Sequence, residues 1–117
     1  MRSKADLGAY GQKIAEDYLT ANGFNIIERN FRCKSGEIDI IARDGGYISF
    51  IEVKYRRSLV HGYPREAVGY HKQRHIRRVA LYYIMINRIN NQDLRFDVLE
   101  IIDLGVNPEI TLIKNAF

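Results

Sequence analysis

A single cysteine stands among the 117 residues, so Cys33 can form neither an internal disulfide nor a thiolate zinc cluster within one chain. With no histidine close to it in sequence, Cys33 is read as structural. No apolar run approaches the length of a membrane span. The opening MRSKADLGAYGQ also lacks a stretch of signal-peptide length, so a cytoplasmic protein without membrane contact is expected. Internal repeats, low-complexity segments and linker-like stretches are absent too. The length is short for two cores, which points to one domain over residues 1–117.

What is present is an ordinary globular balance, 46% hydrophobic and 27% charged residues. Lysine and arginine outnumber aspartate and glutamate by 18 to 14, a net charge of +4 that suits a polyanionic partner without requiring one. Its distribution is more specific: Arg56 and Arg57 are followed by Arg65, Lys72, Arg74, Arg77 and Arg78.

Leu7, Tyr10, Ile14 and Tyr18 recur at helical spacing and predict a helix over 6–22, with Ser3 and Asp6 suited to its cap and Gly23 to its end. FNIIERNFR, residues 24–32, predicts a strand. GEIDIIARDGGYISFIEVKYR, residues 36–56, predicts two strands joined at Gly45-Gly46. Val68, Ile76, Val79, Tyr83, Ile86 and Ile89 predict a second helix from Pro64 to about Asn90, with a break near Gly69. LRFDVLEII (94–102) and EITLI (109–113) predict two closing strands. The order α-β-β-β-α-β-β fits an α/β sandwich around a mixed sheet.

The hairpin carries charges where a core belongs. A type I′ turn at Gly45-Gly46 pairs residue 44 with 47, which sets Asp39 opposite Glu52 and Glu37 opposite Lys54, all on one face. A solvated face with Glu37 and Lys54 as a surface ion pair is one explanation. The other starts from Ile40, Ile51 and Val53, which with Ile48 and Phe50 make both strands apolar on both sides, as in a sheet covered on each face. Facing carboxylates there repel and need compensation. A divalent cation such as Mg²⁺, held by carboxylates and a backbone carbonyl, supplies it. With Lys54 alongside, the set suits phosphodiester hydrolysis.

Asp39, followed after twelve residues by Glu52-Val53-Lys54, resembles the PD-(D/E)xK signature of restriction-endonuclease-like nucleases, with Ile38 in place of the proline. The whole chain is similar to the bacterial YraN family, itself resembling archaeal Holliday-junction resolvases. GQKIAEDYL, RNFRCKSGEIDIIA, FIEVKYR, the helix around Lys72, RFDV and the closing NAF carry the similarity. It implies a restriction-endonuclease-like three-layer sandwich and a Mg²⁺- or Mn²⁺-dependent endonuclease acting on branched or structured DNA. Asp39 and Glu52 would be metal ligands with the Val53 carbonyl, Lys54 catalytic, Glu37 supporting, Lys72 reaching toward the site, and a homodimer plausible by resemblance alone. Gln12 stands where relatives usually carry glutamate. It keeps a carbonyl oxygen and loses the charge; Glu16, one turn on, is a candidate substitute at the site, although it points away from the apolar stripe and is expected in solvent.

Arg56, Arg57, Arg65, Arg74 and Arg77 are candidate contacts to backbone phosphates. His71 and His75, four apart among basic residues and with no carboxylate after His71, read as a solvated or phosphate-facing helix rather than a metal pair. Tyr70, Tyr82 and Tyr83 at helical spacing read as core. Two further readings stand beside the nuclease: a nucleic-acid-binding module of the same fold that cleaves weakly or not at all, and a metal-binding structural protein.

Overall fold

The strand and helix signals resolve, in a computed structural model describing residues 4–57 and 68–117, into α1 (Lys4–Ala21), β1 (Asn25–Cys33), β2 (Gly36–Asp44), β3 (Tyr47–Arg56), α2 (Tyr70–Ile86), β4 (Asp93–Ile102) and β5 (Glu109–Ile113). The order is the expected one. The break expected near Gly69 is present: Gly69, with extended backbone at φ −80° and ψ 173°, caps the start of the described helix, which ends earlier than its periodicity suggests. Asn87 ends it, its side-chain amide donating to the Tyr83 carbonyl at 2.9 Å. Arg88 then takes a left-handed φ of 51° that no helix continues through. Pro64 and Arg65 lie outside the described residues.

The strands form one mixed sheet in the order β1-β2-β3-β4-β5, with β3 and β4 parallel and every other pair antiparallel. A parallel pair needs a crossover, and α2 lies in the one joining β3 to β4. Helix α1 covers one face through Ala15 and Leu19 against Ile40, Ala42, Ile51, Leu99 and Ile101. Helix α2 covers the other through Ile76, Val79 and Tyr83 against Ile38, Ile41, Ile48 and Phe50. The architecture is therefore the restriction-endonuclease-like α/β/α sandwich. Among the described residues no helix is long and apolar enough to cross a membrane.

The buried stripe of α1 is rotated from the one read in the sequence. Gly11, Ala15 and Leu19 face inward, with Ile14 and Tyr18 at the margin and Tyr10 exposed. Small residues let the helix approach β3 so closely that a Cβ on Gly11 would lie 2.8 Å from the Cβ and Cγ of Tyr55. Gly11→Ala must push helix or ring aside, and the expected loss is about 1–3 kcal/mol of stability, read as a lower urea midpoint.

At the hairpin end of the sheet, Asp97 is fully buried beneath its partners. Ser49 Oγ donates to it, Arg95 Nε donates at 2.9 Å and the Asn115 N–H at 2.9 Å. Arg95 reaches on to Asp44 at 2.7 Å. The Ala116 N–H donates to the Phe96 carbonyl, and the Phe117 ring stacks on Phe96 at 5.4 Å. RFDV and NAF, distant in sequence, are thus two halves of one clasp. Asp97→Ala leaves Arg95 with Asp44 alone and takes the acceptor from the Ser49 hydroxyl and the Asn115 N–H, and it is expected to cost roughly 3 kcal/mol in chemical denaturation, with Asp97→Asn costing less.

Candidate active site

The hairpin pairs Asp44 with Tyr47 as expected and keeps that register down to Ile40 opposite Ile51. The turn differs in one detail. Gly45 has φ 60° but Gly46 does not share the left-handed region, the pattern of a type II′ rather than a type I′ turn.

Beyond Ile40 the expected flat face of four charges gives way. Ile38 lies in the core beneath α2 and Ile40 in the core beneath α1, although residues two apart on a regular strand share a face. The strand turns over at Asp39. There β2 stops pairing with β3, and Asp39 Oδ2 accepts a hydrogen bond from the Val53 N–H at 2.8 Å. A side chain takes the place of the ladder and wedges the two strands apart at the level of Glu52.

Glu52 is buried on β3, with two lysines against it: Lys54 Nζ at 3.5 Å from its own strand and Lys72 Nζ at 3.2 Å from α2. Asp39 opens instead into a cavity of about 670 Å³ on the α1 side, which Gln12, Glu16, Arg29, Asn30, Arg32, Val53 and Tyr55 also line. The two carboxylates remain within electrostatic reach of each other. Burial, then the charge of Glu52, pushes the Asp39 carboxyl up to about 6, against the pull of the Val53 N–H; Glu37 adds to the rise and Lys72 opposes it. Asp39, Glu52, Val53, Lys54 and Lys72 are thus gathered at one gap between strands, with Glu37 close by and ion-paired to Arg32 at 3.3 Å.

Glu16 is not in solvent as its wheel position suggested. The rotation of α1 brings Gln12 and Glu16 to the cavity wall, where the Glu16 side chain is only 18% exposed and accepts from Arg29 Nε at 2.6 Å. Gln12 Nε2 donates to Glu16 at 3.4 Å. The basic candidates divide. Arg74 lies over the Tyr70 ring at 5.7 Å, and Arg77 lies over Phe96 at 4.7 Å and Phe117 at 5.6 Å, a packing position. Arg56 ends β3 half-buried and Arg57 is exposed just after it. Sequence reasoning missed Arg29, Asn30 and Arg32. Their signal was register: Arg29 pairs with Ile40 and Phe31 with Ile38, which sets Asn30 beside Asp39.

Could these residues accept a hard cation? Among the described residues no three histidine, cysteine, aspartate or glutamate side chains cluster as a ready-made site. Asp39, the Val53 backbone and the Gln12 amide share the cavity on the α1 side, while Glu52, met by Lys72 from α2, does not line it but stands close enough to Asp39 to repel its charge. All of these donors are oxygens, the kind magnesium and manganese take, and Lys54 and Lys72 now supply the positive charge that Glu52 requires. The chemistry fits.

The sequence matches a family model described as uncharacterised protein family UPF0102 over residues 11–101. A UPF0102 protein of Clostridium botulinum (strain Loch Maree / Type A3) is 50% identical over 115 residues, covering 96% of this chain and 94% of the relative. One from Caldicellulosiruptor saccharolyticus is 49% identical over 118 residues, covering 98% and 99%.

Proposed function

The chain belongs to the UPF0102 (YraN) family, and we propose that it is a metal-dependent nuclease that hydrolyses phosphodiester bonds in DNA, with branched or otherwise structured DNA as its substrate. The observation that carries this reading is the gap at Asp39, where the pairing of β2 with β3 ends and two carboxylates and two lysines come together.

Asp39, Glu52 and the Val53 carbonyl would hold Mg²⁺ or Mn²⁺, with Gln12 a neutral fourth oxygen. Such an ion supplies positive charge against the scissile phosphate and makes a bound water more acidic. Lys54, anchored by Glu52, stabilises the charge that grows on the phosphate in the transition state. Lys72 holds Glu52 from the opposite helix and keeps its carboxylate aimed into the gap. Asp39, fixed by the Val53 N–H, cannot rotate away from the strand break.

A second reading, a nucleic-acid-binding protein of the same fold with weak cleavage, is favoured by one feature. Gln12 brings a neutral amide to the cavity wall where the resemblance implies a glutamate. Synthetic junctions, flaps, single strands and linear duplex incubated with Mg²⁺, Mn²⁺ or EDTA separate the two. The nuclease reading expects metal-dependent cutting of at least one branched substrate, with Gln12→Glu raising the rate. Tight binding with no cutting in either metal supports the second.

A further inference from the structure

Each cation on the wall of the catalytic cavity has a carboxylate partner: Lys13 with Asp17 at 2.9 Å, Arg29 with Glu16 and Arg32 with Glu37. Lys54 and Lys72 share Glu52. One group of basic residues departs from this rule. His71, Arg74, His75 and Arg78 line a separate cavity of about 210 Å³. All four are exposed, and no ion pair to any of them occurs among the described residues.

Their spacing is i, i+3, i+4, i+7, so one face of α2 presents all four over about 10 Å. Among the described residues the first turn of that helix carries no acidic side chain to offset its positive end. Side chains that repel one another do not converge on a cavity to stabilise the fold. An anion there satisfies them. Two guanidinium groups in the same cavity exclude a cation, so the histidines at i, i+4 are hydrogen-bond donors and not metal ligands. Guanidinium pairs match phosphate in particular, with two parallel N–H donors each.

We propose that His71, Arg74, His75 and Arg78 form a phosphate pocket that grips the nucleic-acid backbone away from the scissile bond. The ligand's identity rests on the nuclease reading. The position follows from α2 itself. Lys72 extends to Glu52 from the same two turns, so a strand engaged at the gap is carried along the helix onto the 71/74/75/78 face. This pocket holds DNA without reading its sequence, as suits a protein that selects substrates by shape.

Binding of fluorescent junction and duplex DNA is measured with EDTA present, across a salt series, for wild type, Arg74→Ala/Arg78→Ala, His71→Gln/His75→Gln and a charge-matched control, Arg43→Gln/Arg88→Gln. The arginine double variant is expected to bind about tenfold more weakly near 150 mM salt, with a salt slope shallower by about 2. The histidine pair should weaken binding by less, and the control least of all. Thermal midpoints near wild type confirm that the exposed substitutions leave the fold intact. Each DNA is used with a 5′-hydroxyl and a 5′-phosphate end. Equal losses assign the pocket to internal diesters, and losses confined to the phosphorylated DNA assign it to a terminal phosphate and overturn the backbone role. If wild type binds DNA and the arginine double variant keeps its affinity and slope, the pocket is refuted while the nuclease reading stands. If wild type binds no nucleic acid, both fall.

Discussion

Lys54→Ala is expected to lower DNA cleavage at least a hundredfold while DNA binding changes by less than about threefold. The asymmetry follows from where Lys54 sits. Its side chain is only 18% exposed and its ammonium group lies 3.5 Å from the buried Glu52, so it adds little to the outward field that attracts a polyanion. In the proposed reaction it would stand where charge develops on the phosphate, and removing one preorganised donor from such a position typically costs a factor of 10² to 10³ in rate. Lys54→Arg should recover little, because a planar fork cannot occupy the slot of a compact ammonium beside Glu52. A surface lysine that merely attracted DNA would give the reverse, with weaker binding and an unchanged rate at saturation.

Asp39→Asn is expected to abolish cleavage and yet make the metal-free protein more stable at neutral pH. The carboxyl of Asp39 is raised from 3.8 to about 6, by burial first and by Glu52 second. A carboxyl bound more tightly to its proton in the folded chain stabilises the fold in its protonated form. That contribution is complete below the unfolded value of 3.8 and is lost as pH rises through about 6. Asparagine keeps an oxygen for the Val53 N–H and never acquires the charge. In EDTA the two proteins should therefore melt together near pH 4. Near pH 7.5 the variant should melt higher by roughly 3 °C or more. Added Mg²⁺ should raise the wild-type midpoint and leave that of the variant in place. A variant less stable than wild type at every pH would show that Asp39 serves the fold.

The elements were legible because periodicity needs only neighbours along the chain. Helical and strand spacings gave the α-β-β-β-α-β-β order, and Gly45-Gly46 gave the hairpin register through Ile40 and Ile51. Asp39, Glu52 and Lys54 stood out as charges in otherwise apolar strands. What stayed hidden depends on contacts between elements. Nothing local announces that β2 turns over at Asp39, because the break is made by a hydrogen bond to a strand fourteen residues away. The rotation of α1 that carries Glu16 to the cavity is set by the fit of Gly11 against Tyr55. Arg77 read as one more basic residue until the C-terminal segment placed Phe117 beneath it. The break at Gly69 was legible, and the described helix starts just after it at Tyr70, whereas its end at Asn87, short of the periodic Ile89, was not.

The measurement that bears most directly on the account is cleavage of a junction substrate in Mg²⁺ by wild type and Glu52→Gln prepared in parallel. Glutamine preserves the size of the buried side chain and removes the charge that Lys54 and Lys72 converge on. Metal-dependent cutting by wild type that disappears in Glu52→Gln is the predicted result. Equal cutting by both proteins, or cutting that survives EDTA, would contradict it.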